Sequence, residues 1–254
     1  MAKKEKMRAM FNDIASDYDS LNHIMSLGID RCWRRRAIRE VIDRERPQRI
    51  LDLACGTGDF SIEEARHMAD GSHVTGVDLS EGMLRVMKDK VASAGLQDRI
   101  GIEQGEGEGL RFPDGTFDVV TIAFGIRNFE DREAGLKEML RVLKPGGRLL
   151  ILELSEPEPS LLRWCYNLYF KHILPFIGKI VSGNSAAYHY LPASVIAFPG
   201  RREWTATMQM CGFADVTHKA FSLGVCRMYI GVRKASLFPP EVQRRSSTSP
   251  EAEA

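Results

Sequence analysis

The 254-residue chain has few cysteines, and no two of the five, Cys32, Cys55, Cys165, Cys211 and Cys226, stand in a CxxC spacing. Their number and scatter exclude a disulfide framework and argue against a zinc site, so no metal is expected, and they fit a reducing compartment. No uncharged apolar run approaches the roughly 18 to 20 residues of a membrane span. The basic start MAKKEKMRAMF is not followed by an apolar core of signal-peptide length, so a cytoplasmic protein is expected. Charge of one sign is also missing: 35 Lys plus Arg face 34 Asp plus Glu. Nothing in that total attracts a polyanion, and no nucleic-acid partner is expected. The local cluster Arg34, Arg35 and Arg36 reads as a solvated helix face. There is no internal repeat, and the length suits one large α/β domain.

What is present is alternation. Apolar runs of strand length alternate with helical periodicity, the pattern of a mainly parallel sheet flanked by helices. Strands are expected near 49–54, 73–78, 99–103, 117–123 and 147–153, with helices over 59–69, 81–94 and 131–143. Ser80 is the expected N-cap of the second helix, and KPGG at 144–147 is expected to stop the third. After a short helix at 201–210, the β-rich runs DVTHKAF and CRMYIGVR are joined only by a brief SLG segment. A parallel crossover needs a dozen or more residues, so an antiparallel hairpin closes the sheet. Residues 235–254, rich in Pro, Ser and charge, are the expected disordered tail. The aromatic stretch LLRWCYNLYFKHILPFIGKIV, residues 161–181, reads either as a buried helix or as an apolar lid that leans on a membrane.

ILDLACGTGDF, residues 50–60, runs from an apolar strand into Gly56 and Gly58, with Asp52 before the turn and Asp59 after it. Asp78 closes the next strand, 20 residues after Gly58. In a doubly wound sheet these positions meet at the carboxyl edge, where an acid on the second strand takes a ribose diol, so an adenosine-containing cofactor is expected. A dinucleotide fits poorly, because Ser61 occupies the third glycine position and Asp59 puts a carboxylate where a pyrophosphate would sit. S-adenosylmethionine carries a sulfonium and an ammonium instead, which Asp52 and Asp59 can attract. Phe11, Tyr18 and Phe124 are candidates to face the sulfonium.

The segments FNDIASDYDSLNHIMSLGIDRCWRR, LDLACGTGDF, GVDLSEGML, FPDGTFDVVTIAFGIRNFED, RVLKPGGRLLILELSEP and YHYLPASVIAFP together resemble the ubiquinone/menaquinone biosynthesis C-methyltransferase family, over roughly residues 8 to 233. The resemblance implies a class I methyltransferase domain over 1–234, a Rossmann-like, doubly wound seven-stranded sheet with an antiparallel last strand. Residues 1–45 would form a helical cover and 155–200 a substrate-side insertion. It also implies methyl transfer from S-adenosylmethionine to a ring carbon of a polyprenylated quinol. Cofactor positions carried over fall on Thr57, Asp78, Glu106, Gly107 and Ala123, beside Asp52, Gly56 and Gly58 of the turn. Members commonly show Asn or Asp followed by Ala where this chain has Glu106 and Gly107, and some show Ser at Ala123, so the adenine loop is expected to sit differently.

A ring carbon is a poor nucleophile until its quinol hydroxyl loses a proton. Arg127 and Asn128 of GIRN are the candidates to stabilise the quinolate or orient a water, and Tyr188, His189 and Tyr190 of YHYLP to line the ring pocket. The alternative for Arg127 is an ion pair with an acid such as Glu130. His23 ranks below His189 as a substrate contact. The ending LGVCRMYIGVRK is closer to menaquinone-pathway members and favours demethylmenaquinol. The methoxy-benzoquinol of ubiquinone synthesis, another small lipid, and a non-catalytic scaffold stay open as alternatives, as do peripheral membrane contact and a homodimer.

Overall fold

A computed structural model of the chain describes residues 3–157, 166, 168 and 185–235. The stretch 161–181, apart from Tyr166 and Leu168, and the tail from residue 236 onward lie outside the described residues. Three helices open the chain: α1 (Lys3–Ile14), α2 (Tyr18–Met25) and α3 (Ile29–Val41). Then β1 (Arg49–Leu53), α4 (Asp59–His67), β2 (His73–Asp78), α5 (Glu81–Ser93), β3 (Ile100–Gln104) and β4 (Phe117–Ala123) alternate. They are followed by α6 (Arg132–Val142), β5 (Leu143–Leu154), α7 (Ser185–Ile196), α8 (Arg201–Met210), β6 (Phe213–Phe221) and β7 (Cys226–Arg233). The seven strands form one sheet in the order β3-β2-β1-β4-β5-β7-β6. The first five are parallel, and β7 lies antiparallel between β5 and β6. The expected fold class and hairpin are both present. No helix among the described residues is long and apolar enough to cross a membrane.

Alternation along the central strands divides the core. Ile50, Val119, Leu150 and Leu152 pack against α3, α4 and α5, while Leu51, Val120, Leu149 and Ile151 pack against α6 and α8. Successive strand side chains point to opposite faces, so both layers are apolar and the strands read as near-continuous hydrophobic runs. Each such burial stabilises by roughly 1.5 to 3 kcal/mol.

Two local expectations change. β5 begins at Leu143 and not near 147, because Leu143 already pairs with Phe117 before the register jumps to Val119 with Arg148. KPGG is the slack between those pairings, with Gly146 at a φ of 79°. Arg34 is not on a solvated face. It is buried, with Nη1 2.7 Å from Asp30 and 3.0 Å from Asp59, whereas Arg35 and Arg36 are exposed.

Ser80 caps α5, its hydroxyl accepting from the Met83 N–H. The same hydroxyl donates to Asn12 Oδ1 at 2.7 Å, and that oxygen also accepts from the Gly82 N–H at 2.9 Å. α1 is thereby pinned across the start of α5, over the carboxyl edge of the sheet.

Candidate active site

The carboxyl ends of β1, β2, β3 and β4 open into a cleft roofed by Met7 and Phe11 of α1 and lined by Gly56, Asp78, Glu106, Gly107, Ala123 and Asn128. Six of the expected site residues are therefore together. Asp78 is held from below: its Oδ2 accepts from the Gly56 N–H at 2.9 Å and its Oδ1 from the Ser80 N–H at 2.8 Å. Burial pushes its pKa up, and those two backbone donors work against the rise. Glu106 forms an ion pair with Lys4 of α1. Gly107 has a steric reason to be glycine, since a Cβ there would lie 2.4 Å from Cζ of Phe129, whose ring also covers Gly135. An acid at the end of β2 beside the apolar side chains of Val77, Leu79, Met83 and Phe129 is a lining that an adenosine-bearing ligand would fit.

Asp52, Thr57 and Gly58 lie behind this wall. Asp52 is buried under the turn, accepting from Ser61 Oγ at 2.5 Å and Thr121 Oγ1 at 3.4 Å. Burial raises its pKa to about 7, and that of the buried Glu64 moves the same way, by burial first and by the Asp52 charge second. Gly58 takes a φ of 84° and backs onto Met87. Thr57 donates to Asp19 Oδ1 at 2.5 Å. Lys90 joins Asp19 and Asp59, both at 2.5 Å, and Arg34 holds Asp59 from the other side. Burial raises the Asp59 pKa, but Arg34 and Lys90 outweigh it and the net shift is downward. Asp19 and Asp59 are therefore engaged with the protein's own cations, and Asp52 with buried hydroxyls. His23, Asp30 and Asp59 have the spacing of a cation site, yet Arg34 Nη1 already stands between the two carboxylates.

Asp52 has a consequence for stability. Its folded-state pKa lies above the ordinary 3.8, so the folded protein binds the proton more tightly than the unfolded chain. This contribution is complete below about pH 4 and is lost as pH rises through about 7. Unfolding temperature is expected to show a falling component across that interval, and Asp52→Asn to flatten it in calorimetric scans at constant ionic strength. Equal slopes in the two proteins would rule the assignment out.

A second cavity shares Tyr18 and Phe124 with the first. Its wall is largely apolar, with Leu27, Ile29, Trp33, Leu154, Leu191 and Val225, and Arg127 is set into it. Arg127 is buried, and its partner is Glu153 at 2.8 Å, not Glu130. The same guanidinium donates to the Phe124 carbonyl and, at 3.3 Å, to Ser194 Oγ. Burial opposes the Arg127 charge, and Glu153 together with Tyr18 and Tyr190 offsets that penalty, so the net shift is upward. Asn128 faces the first cleft and accepts from the Tyr190 hydroxyl at 2.9 Å. Tyr188 and His189 fall on α7, and their side chains lie outside the described residues. Phe11, Tyr18 and Phe124 all reach the first cleft. His23 lines a third, solvent-facing groove with Arg31, Arg35 and Arg66. Glu153 and Asp30, the partners of Arg127 and Arg34, were missed in the sequence reading; the i to i+4 spacing of Asp30 and Arg34 was the one available signal.

The solved structure of the [4+2]-cyclase SpnF superposes with a TM-score of 0.67 at 15% identity, covering 91% of this chain and 96% of that one. A cyclase on this scaffold means that the fold alone does not name the reaction. Sequence is more specific. The chain is 48% identical over 229 residues to the ubiquinone/menaquinone biosynthesis C-methyltransferase UbiE of Geobacter sulfurreducens, covering 90% of this chain and 89% of that protein. It is 45% identical over 231 residues to the demethylmenaquinone methyltransferase of Porphyromonas gingivalis, covering 91% and 94%. A model of the ubiE/COQ5 methyltransferase family matches residues 1–233, and with the glycine turn, the Asp78 cleft and the apolar cavity beside it in place, the chain belongs to that family.

Proposed function

We propose that the protein moves a methyl group from S-adenosylmethionine to a ring carbon of a polyprenylated quinol, with demethylmenaquinol as the preferred substrate. One observation carries this reading: a polar-edged cleft for an adenosine compound and a larger apolar cavity meet at Tyr18 and Phe124. S-adenosylmethionine supplies an electrophilic methyl on a sulfonium. The chain supplies position and charge: Asp78 holds the ribose, the Tyr18 and Phe124 rings flank the crossing point, and Arg127 stabilises negative charge on the quinol oxygen. The naphthoquinol is preferred because the Porphyromonas relative is named for it, while the name of the Geobacter relative covers both pathways.

A polyprenyl tail cannot cross water cheaply, and the mouth of the apolar cavity suits a membrane surface. Leu27 in its wall is 82% exposed, Leu223 between the lining residues Ser222 and Val225 is 70% exposed, and α3, which follows Leu27 in the chain, turns Arg31, Arg35, Arg36 and Arg39 to solvent. Apolar tips next to basic side chains favour peripheral contact with anionic lipid. Sedimentation free of quinone-bearing anionic liposomes would remove this part of the reading.

The deciding assay follows label from S-adenosylmethionine into reduced demethylmenaquinone and, separately, reduced methoxy-polyprenyl-benzoquinone. Label in the first alone is the expected result. Label in both makes the enzyme serve two pathways, and label in neither, with cofactor binding intact, sinks the quinol assignment.

A further inference from the structure

Methylation of a quinol ring releases one proton for each turnover, and this inference rests on the reading just given. The hydroxyl proton leaves its electron pair on oxygen, and the ring carbon uses a pair to form the new C–C bond to the methyl. The C–S pair stays with sulfur, which becomes a neutral thioether. The ring carbon then loses its hydrogen as a proton, the C–H pair restores the aromatic ring, and the oxygen regains a proton. One proton is left over, and the apolar cavity must dispose of it.

Few groups in that cavity can accept it. Among the described residues lining it, the titratable side chains are Tyr18, Asp30, Arg34, Arg127 and Tyr166. The two guanidiniums have no acceptor capacity. Burial raises both tyrosines, which keeps them as phenols. Asp30 is the one carboxylate in the set, and it is 3% exposed. Ser26, also in the wall, donates from Oγ to Asp30 Oδ1 at 2.7 Å. Behind them, Arg34 Nη1 lies 2.7 Å from Asp30 Oδ2, and His23 Nδ1 lies 3.1 Å from the same oxygen.

We infer that Ser26 and Asp30 are the proton-accepting end of the substrate cavity: Ser26 Oγ takes the quinol hydroxyl proton while passing its own to Asp30 Oδ1. Arg34 and His23 hold the carboxylate against the cavity wall. His23 also connects this end to solvent, since it lines the outer groove, where Asp59, 3.6 Å from His23 Nε2, is the charged group facing it and Lys90 in turn holds Asp59. A deeply set proton acceptor backed by a histidine at the surface suits a site that has to exclude water and still discharge a proton.

The test is single-turnover methyl transfer by the full chain with saturating S-adenosylmethionine. The probes are a short-chain 2-prenyl naphthoquinol and a ring-halogenated analogue whose hydroxyl is more acidic. Asp30→Asn is expected to lower the rate about 10²-fold or more at neutral pH with KM little changed, and the loss is expected to shrink at high pH and with the halogenated quinol. Ser26→Ala should show the same pattern at smaller amplitude. A rate within about threefold of wild type, or a loss equal at every pH and with both quinols, overturns the inference. So does finding the pH-dependent pattern in His189→Gln while Asp30→Asn lacks it. If Asp30→Asn does not fold, Ser26→Ala decides on the same readout. Wild-type protein inactive on every quinol overturns the substrate reading itself, before any variant is compared.

Discussion

Arg127→Ala is expected to cut turnover at least about a hundredfold, the usual cost of losing a preorganised charge aimed at a developing oxyanion. Affinity for S-adenosylmethionine should stay close to wild type, because Arg127 lines the apolar cavity and not the cofactor cleft. Stability will fall as well. Glu153 is fully buried, and removing its guanidinium leaves an uncompensated charge, a loss on the order of 3 to 5 kcal/mol. Lost turnover could then reflect a damaged fold, so a second variant is needed. Arg127→Met combined with Glu153→Gln removes both charges and leaves a side-chain oxygen to accept from the Leu154 N–H, which Glu153 serves at 2.8 Å. That double variant should recover most of the unfolding temperature and little of the turnover. Full recovery of both would make the buried pair structural and would end the catalytic assignment.

The second large effect belongs to Asp78. Asp78→Ala is expected to weaken S-adenosylmethionine binding about 10² to 10⁴-fold, since two hydrogen bonds from a ribose diol to a carboxylate are each worth roughly 1.5 to 3 kcal/mol. The loss should appear equally for S-adenosylhomocysteine, which shares the ribose and lacks the sulfonium charge. Titration calorimetry with both ligands checks this. A selective loss for the cation alone would mean that Asp78 acts by charge and not by holding the diol. Asp78→Asn should fall between, as the amide can accept from Gly56 or Ser80 but not from both as the carboxylate does.

Local chemistry made much of this legible. Val119, Val120, Leu149 and Leu150 sit in strands buried on both faces, so their runs announce a parallel sheet. The SLG connection is too short for anything but a hairpin, and β6 and β7 pair antiparallel. Gly56 and Asp78 belong to short motifs whose spacing follows from one βαβ unit. Charge partnerships were less readable. Glu130 is near Arg127 in the chain, but Glu153 ends the neighbouring strand β5 and reaches it across the sheet edge. Asp59 looked available to a cationic ligand until Arg34 of α3 and Lys90 of α5 were seen to hold it.

By itself the sequence determined the strand and helix alternation, the glycine turn, the acid at the end of β2 and the family, because each is written in residues close together along the chain. Only the tertiary structure decided which way each acid faces and what holds it. Asp52 is turned inward under Ser61 and Thr121, Asp59 is taken up by two cations, Asp30 faces the apolar cavity, and Asp78 faces the cleft. The four are the same residue type, and what separates them is which way each side chain leaves its element and what that element packs against. Those are long-range packing outcomes, and no local pattern encodes them.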